Sequence, residues 1–340
     1  MNNSTRITLI MPAYNAAKYV ATALDSIIDQ TVLPDECIVV DDGSTDHTAE
    51  IIKKYSSQYR FIRLLSLPPK TGTERRTAKA LNAALNEAHY EFIAWMDADD
   101  VCLPERLEHQ LNFLQQHKDV VACGTQAVAF HDAWYKPTHK LQLPVEDEWL
   151  KLFCLRQSPI FQSAAMVRKS FLHAHALHYN EQFEYAEDYD FFSRVAQKGK
   201  VANLPEFTLR YRMHGEQSIK HASFESAVVA VIQRNVSELL GQCSDAVLQL
   251  LNHRTTLTVD ELIASFDTAT SLQHELKQKT HFSEKVIDAF IAYSWNRKLL
   301  HALSNNPLWV KKMKRQQSYL LSTVEANQLL KIKLKAMLRF

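Results

Sequence analysis

Three carboxylates stand together in the run Met96-Asp97-Ala98-Asp99-Asp100, directly after the apolar residues 92–95. That apolar run is short enough to be a buried strand, and Pro104 is typical of the first turn of a following helix. Ligands of open α/β sheets bind where strands end, so these aspartates would face a ligand. Crowded carboxylates resist joint ionisation, and a hard divalent cation, Mg²⁺ or Mn²⁺, would relieve their repulsion. The alternative is a solvated loop in which Asp99 or Asp100 caps the helix.

A second acidic run, Asp41-Asp42-Gly43-Ser44-Thr45-Asp46, closes the apolar residues 37–40 and precedes another helical pattern. Gly43 permits a tight turn, and Asp46 is placed to cap the helix. Asp42 would face the ligand, where its carboxylate could accept a hydrogen bond from a base or a ribose hydroxyl. The chain contains neither GxGxxG nor GxxxxGK[ST], which excludes the usual dinucleotide and P-loop sites.

Strand and helix patterns alternate around these runs, which predicts an α/β fold with a mainly parallel sheet and right-handed crossovers. Beyond about residue 216 helical periodicity dominates, so a separate helical region is expected at 221–340. Strands are predicted at 7–11, 37–40, 61–65, 92–95, 120–130, 164–167 and 201–212. Helices are predicted at about 16–30, 74–88, 104–116, 146–156 and 187–198, with Asn15 as the cap of the first, and a further helix would carry Ile51, Ile52 and Tyr55 on one face. Residues 131–145 are predicted to form a loop.

Three segments, taken in order, spacing and strand context, resemble the family 2 glycosyltransferases of the A-type (GT-A) fold. They are Pro12-Ala13-Tyr14-Asn15, residues 39–46 and residues 96–100. The resemblance covers about residues 6–220. It implies a catalytic domain at 1–220, with a nucleotide-binding half at 1–100 and an acceptor half at 101–220. The helical region carries none of the resemblance.

The resemblance implies roles for the residues that match the family's donor site. Asp42 would hold the nucleotide base, in a pocket lined by Pro12, Tyr14 and Asn15. Asp97 and Asp99 match the DxD pair that binds the sugar, the ribose and the metal on the diphosphate, with Asp99 as the principal metal ligand. The metal would be Mn²⁺ or Mg²⁺.

This chain departs from the family at the glycine-rich turn and the Arg-Asn pair that precede the strand at 92–95. Lys70-Thr71-Gly72 stands at the turn, and Lys79-Ala80-Leu81-Asn82 stands near the pair. The cationic contact to the donor is therefore open among Arg75, Arg76 and Lys79, and each of these could instead lie on a solvated helix face.

Glu187 and Asp188 precede an apolar helical face, where carboxylates suit a helix N-terminus. By the resemblance, Asp188 is the base that takes the proton of the acceptor hydroxyl, and Glu187 orients it. Tyr211-Arg212-Met213-His214 resembles the element that ends the family's catalytic domain, whose histidine, here His214, reaches the metal or the diphosphate. Residues 158–163, Glu184 and the 131–145 loop are expected at the acceptor. Other candidates are interpreted as solvated or structural: His173, His175, His178 and Arg194.

The composition is that of a soluble globular protein, with 46% hydrophobic and 23% charged residues and a net charge of +1. This charge predicts no polyanionic partner for the chain as a whole, and no nucleic acid is expected to bind. Five dispersed cysteines without CxxC spacing argue for a reducing compartment and against a zinc site. Because the first residues lack a signal-peptide pattern and no run approaches about 18 apolar residues, a cytoplasmic location is expected.

The C-terminal tail is basic: residues 305–340 contain eight Lys and Arg side chains and a single acid, Glu325. These alternate with leucine and aromatic residues, as in helices that lie in an anionic membrane surface. The alternative is that the apolar residues pack onto the helical region and the lysines are solvated. The membrane interpretation would place the enzyme on the inner face of the membrane.

The resulting hypothesis is an inverting, metal-dependent glycosyltransferase. It would move a sugar from a nucleotide-diphospho-sugar, a UDP-sugar, to a hydroxyl of a glycan or lipid-linked acceptor, as in cell-surface polysaccharide biosynthesis. A nucleotidyltransferase that forms sugar nucleotides would use similar carboxylates, but it normally needs a glycine- and lysine-rich loop near the first strand. A non-catalytic binding module is the third alternative, and the presence of Asp42, Asp99 and Asp188 argues against it.

Overall fold

The computed structural model describes residues 5–70, 72, 75–131, 137–214, 222–252 and 259–305. These residues fall into two compact units. One spans Met1–Cys154 and Ser158–Ala227, and the other spans Leu155–Gln157 and Val228–Phe340. The basic residues of the tail, 311–340, lie outside the described part of the chain.

The first unit alternates strands and helices through its first half. Its elements are β1 (Ile7–Ala13), α1 (Val20–Ile28), β2 (Glu36–Asp41), α2 (Thr48–Gln58), β3 (Ile62–Ser66), α3 (Thr77–Glu87), β4 (Phe92–Trp95), β5 (Val101–Cys102), α4 (Arg106–Gln116), β6 (Val120–His131), β7 (Pro137–Leu141), α5 (Asp147–Phe153), a 3-10 turn (Gln162–Ala164), β8 (Met166–Arg168), α6 (Lys169–Ala174), α7 (Glu187–Lys198) and β9 (Lys200–Met213).

The strands form one nine-stranded sheet in the order β3-β2-β1-β4-β8-β6-β9-β5, with β7 paired to β6. The predicted parallel arrangement is found in β3, β2, β1 and β4. The second half of the sheet is mixed, because β8 runs antiparallel to both β4 and β6, whereas β9 runs parallel to β6 and antiparallel to β5. Since β1, β2 and β4 are parallel neighbours, the segments that follow them emerge at one edge of the sheet.

Both faces of the parallel half are covered by helices, which explains why its strands are continuous apolar runs rather than alternating ones. In β4, Phe92 and Ala94 belong to one core cluster, while Ile93 and Trp95 belong to the other. Helix α1 packs on the first face through Leu24 and neighbouring residues. Helix α3 covers the second face with small side chains, Ala80 and Ala84 among them.

Two local predictions are wrong, and both concern backbone that carries no apolar period. Asn15 does not cap the first helix: it has a left-handed φ of 48°, and α1 begins only at Val20. The 131–145 segment contains a strand, β7, at a position predicted to be loop. Its residues are almost all exposed, so the strand is held by ladder pairing with β6 and lacks the alternation that identifies half-buried strands.

The second unit is helical, as the periodicity beyond residue 216 predicted. Its helices are the end of α8 (Ala222–Leu240), α9 (Asp245–Leu251), α10 (Val259–Lys279) and α11 (Glu284–Asn305). Phe266 of α10 and Trp295 of α11 meet edge to face at 5.8 Å within its core. Among the helices that the structure describes, none combines the length and the apolar character needed to cross a bilayer.

Candidate active site

The three sequence motifs meet at the carboxyl edge of β1, β2 and β4. The Asp42 amide donates to the Ala13 carbonyl at 2.9 Å, and the Met96 amide donates to the Ile10 carbonyl at 3.0 Å. These bonds continue the strand ladders into the loops. They place Tyr14, Asp42 and the aspartates after β4 side by side, as parallel strand ends require.

The acidic cluster consists of Asp97, Asp99 and Asp100, whose carboxylates each offer an oxygen within 4.8 Å of the others. Burial, then the Asp99 charge, raises the pKa of Asp97 to about 6. The same causes raise the pKa of Asp100 well above its usual value. Asp100 accepts a 2.9 Å hydrogen bond from the Arg212 amide through Oδ1, while its buried Oδ2 has no hydrogen-bond partner among the described residues.

This donor set fits a hard divalent cation. It offers several carboxylate oxygens, one of them buried without a partner, under a repulsion that a positive charge would remove. The capping alternative is not realised. Helix α4 begins at Arg106 with no side-chain cap, so neither Asp99 nor Asp100 caps it.

The end of β9 brings His214 to this cluster. Its Nε2 lies 2.8 Å from Asp99 Oδ2, and its ring lies 5.1 Å from that of Tyr19. Arg212, two residues earlier, donates through Nε to the Asp99 carbonyl at 2.5 Å. The structure therefore brings together two residues, Asp99 and His214, that the sequence separates by more than a hundred positions.

Asp42 is buried and lies between two cations. Lys70 Nζ is 2.9 Å from Oδ2, and an Arg76 guanidinium nitrogen is 3.0 Å from Oδ1. Lys70 Nζ also sits 3.4 Å above the ring of Tyr14, whose side chain is exposed. The loop that carries Lys70 approaches closely because Gly43, with φ of 75°, lacks a Cβ that would meet the Pro68 carbonyl at 3.1 Å.

The three cationic candidates occupy different places. Arg76 contacts Asp42 as described. Arg75 donates to the Glu184 carbonyl at 3.1 Å and lies near the Tyr185 ring. Lys79 is exposed on α3 and, within the described part of the chain, has no ion pair with Asp42.

The residues of the Pro12–Asn15 segment do not share one environment. Pro12 pairs with Val40 inside the β1–β2 ladder. The side-chain oxygen of Asn15 accepts a 2.9 Å hydrogen bond from the Thr45 backbone amide. The backbone amide of Asn15 donates to Ser44 Oγ at 3.0 Å. Asn15 therefore ties the segment after β1 to the turn after β2, which holds Tyr14 next to Asp42.

Glu187 and Asp188 form the first turn of α7, after Ala186 in a left-handed conformation with φ of 57°. Burial, then the Asp188 charge, raises the pKa of Glu187 to about 8. Burial also raises the pKa of Asp188, although the Tyr189 amide opposes this. The Asp188 charge in turn contributes to the raised pKa of Asp97, so the pair lies beside the acidic cluster.

The raised pKa of Glu187 predicts that its carboxyl group lowers the stability of the folded protein by an amount that depends on pH. The folded protein keeps the Glu187 proton up to pH of about 8, whereas an unfolded chain loses it near 4.5. The unfolded state therefore binds fewer protons between these values, and stability falls as pH rises through this window. Glu187→Gln is expected to raise the melting temperature by several degrees at pH 8.5 and hardly at pH 4.5, as measured by calorimetry. The exposed Glu184→Gln variant should show no such pH-dependent gain, and an equal gain at both pH values would refute the assignment.

Two buried polar residues behind the end of β4 were not predicted from the sequence. Arg106, fully buried, donates to the Trp95 carbonyl at 2.7 Å and to the Ala165 carbonyl at 3.2 Å. Gln110 donates to the Ala164 carbonyl at 2.8 Å. Arg106 thus joins the end of β4 to the end of the 3-10 turn just before Asp97, and Gln110 supports it by accepting a 3.1 Å hydrogen bond from Arg106 Nε. Their spacing of four on α4 was the available signal, yet it is equally typical of a solvated pair.

The three histidines interpreted as solvated are exposed: His173, His175 and His178.

Comparison with known proteins identifies the family. Residues 8–175 match the family model described as Glycosyl transferase family 2. An uncharacterized glycosyltransferase of Haemophilus influenzae is 30% identical over 225 residues, which are 64% of this chain and 68% of that protein. The chain belongs to glycosyltransferase family 2. The predicted enzyme class, a glycosyltransferase, is thereby confirmed.

A further relative is the amylovoran biosynthesis glycosyltransferase AmsE of Erwinia amylovora. It is 26% identical over 208 residues, which are 60% of this chain and 75% of that protein.

Solved structures share the fold. S. aureus TarS 1-349 in complex with UDP-GlcNAc superposes with a TM-score of 0.59 at 19% identity over 92% of both chains. The mannosyltransferase PcManGT from Pyrobaculum calidifontis, in complex with GDP-Man and Mn²⁺, gives a TM-score of 0.51 at 18% identity over 95% of this chain and 87% of that one. These likenesses confirm the predicted GT-A fold followed by a helical C-terminal region.

Proposed function

We propose that the enzyme is an inverting, metal-dependent family 2 glycosyltransferase that moves a sugar from a UDP-sugar to a hydroxyl of a glycan or lipid-linked acceptor. The observation that carries the proposal is the convergence of three groups on one sheet edge. These are the Lys70–Asp42–Arg76 array, the acidic cluster with His214, and the Glu187–Asp188 pair.

The choice of uracil follows from the order of donors and acceptors around Asp42. Lys70 and Arg76 can only donate and the Asp42 carboxylate can only accept. Once an entering base separates the ion pairs that Lys70 and Arg76 make with Asp42, these groups would offer the base donor, acceptor and donor. The edge of uracil presents carbonyl, N–H and carbonyl, which complements this array at every position. Guanine and cytosine each present an amino group where one cation would need an acceptor. The exposed Tyr14 ring offers a face for stacking the base once Lys70 shifts from it.

Asp99 and His214 are proposed to hold the metal, with Asp97 beside them. When bound, Mn²⁺ or Mg²⁺ would neutralise the charge of the departing diphosphate. The Mn²⁺ complex of PcManGT supports divalent metal use in this fold. Arg212, whose Nε donates to the Asp99 carbonyl, would fix the backbone that presents these carboxylates.

Asp188 is proposed to take the proton of the acceptor hydroxyl. As that O–H bond breaks, the oxygen bonds to the anomeric carbon and the bond from that carbon to the diphosphate oxygen breaks, which inverts the configuration. Because Glu187 keeps its proton at neutral pH, one negative charge remains on the pair, and it can reside on Asp188. Residues 158–163, Glu184 and the 131–145 segment are proposed to contact the acceptor.

A donor screen tests the function. Release of the leaving nucleotide, which is UDP, GDP or CMP, is measured from UDP-sugars, GDP-mannose and a CMP-sugar, with and without Mn²⁺, and turnover is expected only with UDP-sugars and metal. Binding of UDP-sugars without turnover on any acceptor class would instead favour a non-catalytic module, and pyrophosphate release from UTP and a sugar phosphate would favour a nucleotidyltransferase.

Lys70→Met is expected to raise the KM for the UDP-sugar about 10-fold or more, because a charge-assisted hydrogen bond contributes about 1.5–3 kcal/mol. Steady-state kinetics with varied donor measures this. Lys79→Met makes the same chemical change on the exposed face of α3 and should leave the KM unchanged. The reverse result would assign the cationic contact to Lys79.

The basic tail is proposed to bind an anionic membrane surface from the cytoplasmic side, which would bring the enzyme to lipid-linked acceptors. Co-sedimentation with vesicles of varied anionic lipid content tests this. The full chain should pellet at low salt, and a chain ending at Ser304 should stay in solution. Equal behaviour of the two chains would favour packing of the tail onto the helical region.

A further inference from the structure

Asp97 is held by two consecutive residues of the 3-10 turn that precedes β8. Its backbone amide donates to Ser163 Oγ at 3.2 Å, and its Oδ1 accepts a 3.1 Å hydrogen bond from Gln162 Nε2. The other end of the Gln162 amide is also engaged: Oε1 accepts the Tyr179 hydroxyl at 2.9 Å. A chain of two hydrogen bonds thus runs from Tyr179 through Gln162 to the Asp97 carboxylate.

Packing and hydrogen bonds hold both the ring and the backbone of Tyr179. It is fully buried, and its ring stacks on Phe191 of α7 at 4.1 Å with an interplanar angle of 9°. Asn82 of α3 holds its backbone from both sides, accepting from the Tyr179 amide at 2.8 Å and donating to the Tyr179 carbonyl at 3.0 Å. The hydroxyl position is therefore set by packing against two helices and not by the loop that carries Tyr179.

The donor and acceptor groups of Tyr179, Gln162 and Asp97 determine the direction of these two hydrogen bonds. Burial raises the pKa of Tyr179 well above its usual value, so the hydroxyl keeps its proton and can donate. A donor at Gln162 Oε1 orients the amide so that Nε2 faces Asp97. The amide then restrains a carboxylate that the neighbouring Asp99 charge would otherwise repel.

We propose that Gln162, oriented by the Tyr179 hydroxyl, is a positioning residue that fixes the Asp97 carboxylate for the donor. This rests on the proposed function, in which Asp97 contacts the nucleotide sugar and its metal. Groups that orient a ligating carboxylate typically change metal affinity or activity by about 10–100-fold when removed. Neither residue carries a signature in the sequence, because the contacts join positions 65 and 17 residues apart.

The test is a set of double-mutant cycles on the full chain. Gln162→Leu and Tyr179→Phe are each made with Asp97 intact and with Asp97→Asn. Dissociation constants for UDP in Mn²⁺ are measured by titration calorimetry, alongside kcat and KM. With Asp97 intact, each change should weaken UDP binding and lower kcat/KM by about 10-fold or more. In the Asp97→Asn background neither should add a further loss, since residues that act through one group are not additive.

The matched control is Tyr189→Phe, which also removes a buried hydroxyl, one that donates to the Cys154 carbonyl at 2.6 Å. It should lower the melting temperature without changing the UDP dissociation constant. Full additivity with Asp97→Asn, or native UDP affinity in Gln162→Leu, overturns the positioning role while leaving the proposed function standing. Native affinity and turnover in Asp97→Asn alone overturns both.

Discussion

Asp99→Ala is expected to abolish sugar transfer and to remove the Mn²⁺-dependent part of UDP binding. Asp99 is the member of the acidic cluster whose carboxylate also faces His214, at 2.8 Å. Removing it leaves Asp97 and the largely buried Asp100 without the carboxylate that joins them to the histidine. Since the departing diphosphate needs its charge neutralised, turnover should fall to background. Turnover and UDP affinity, each measured with Mn²⁺ and with EDTA, check this.

A second readout separates a lost ligand from a damaged fold. The Asp99 charge contributes to the raised pKa of both Asp97 and Asp100, so it destabilises the protein when no cation is present. Asp99→Ala should therefore melt higher than the native protein in EDTA, and Mn²⁺ should no longer raise its melting temperature. Asp119→Ala, a surface carboxylate paired with Lys200, serves as the control and should alter neither activity nor the Mn²⁺ effect. Turnover at the native rate in Asp99→Ala would remove the metal assignment.

The parallel half of the fold was predictable because burial on both faces leaves a direct trace in the sequence. Strands such as Phe92–Trp95 have no polar position to interrupt the apolar run. Once these strands are parallel neighbours, the residues that follow them must meet at one edge. This is why Asp42 and the aspartates after β4 could be assigned to one site without any contact being known.

The supporting residues could not be predicted, because their roles depend on distant contacts with no period. Lys70 lies beside Asp42 only because the turn at Gly43 admits the loop at Pro68. In the sequence, Arg106 is typical of a solvated arginine on a helix, yet it is fully buried behind the end of β4. Gln162 comes from the 3-10 turn and Tyr179 from the loop between α6 and α7. A fully buried polar group needs a specific partner, but the sequence does not reveal which one.

The mixed half of the sheet was the weakest part of the topology prediction, for a related reason. β5 has two residues, too few to establish a period. β8 was predicted at 164–167 and is found at Met166–Arg168, but three residues carry no sign of their antiparallel direction. β7 is held by backbone pairing at the sheet edge and has an exposed, polar sequence. Long β9, in contrast, was predicted from residues 201–212 and is found at Lys200–Met213, where its end delivers His214 to the acidic cluster.

Asp188→Asn is expected to lower kcat by about 10²–10⁴-fold, the usual contribution of a positioned proton acceptor, while UDP affinity in Mn²⁺ stays native. The amide is isosteric with the carboxylate and can still accept the Tyr189 amide at the start of α7, so the fold should be kept. Asn lacks the basic carboxylate, so the acceptor hydroxyl has nowhere to lose its proton. Single-turnover rates and UDP titrations separate the chemical step from donor binding.

Asp190→Asn provides the matched control on the same helix. Asp190 is fully buried but is paired with Arg194 at 2.5 Å, so its substitution breaks a structural ion pair. This variant should lose stability, because the half-buried Arg194 guanidinium loses the negative charge of its partner. Its turnover per folded molecule should nevertheless stay within a few-fold of native. If Asp190→Asn lost as much turnover as Asp188→Asn, the loss would reflect distortion of α7. If Asp188→Asn lost donor affinity instead of turnover, Asp188 would belong to the nucleotide site and another group would have to take the proton.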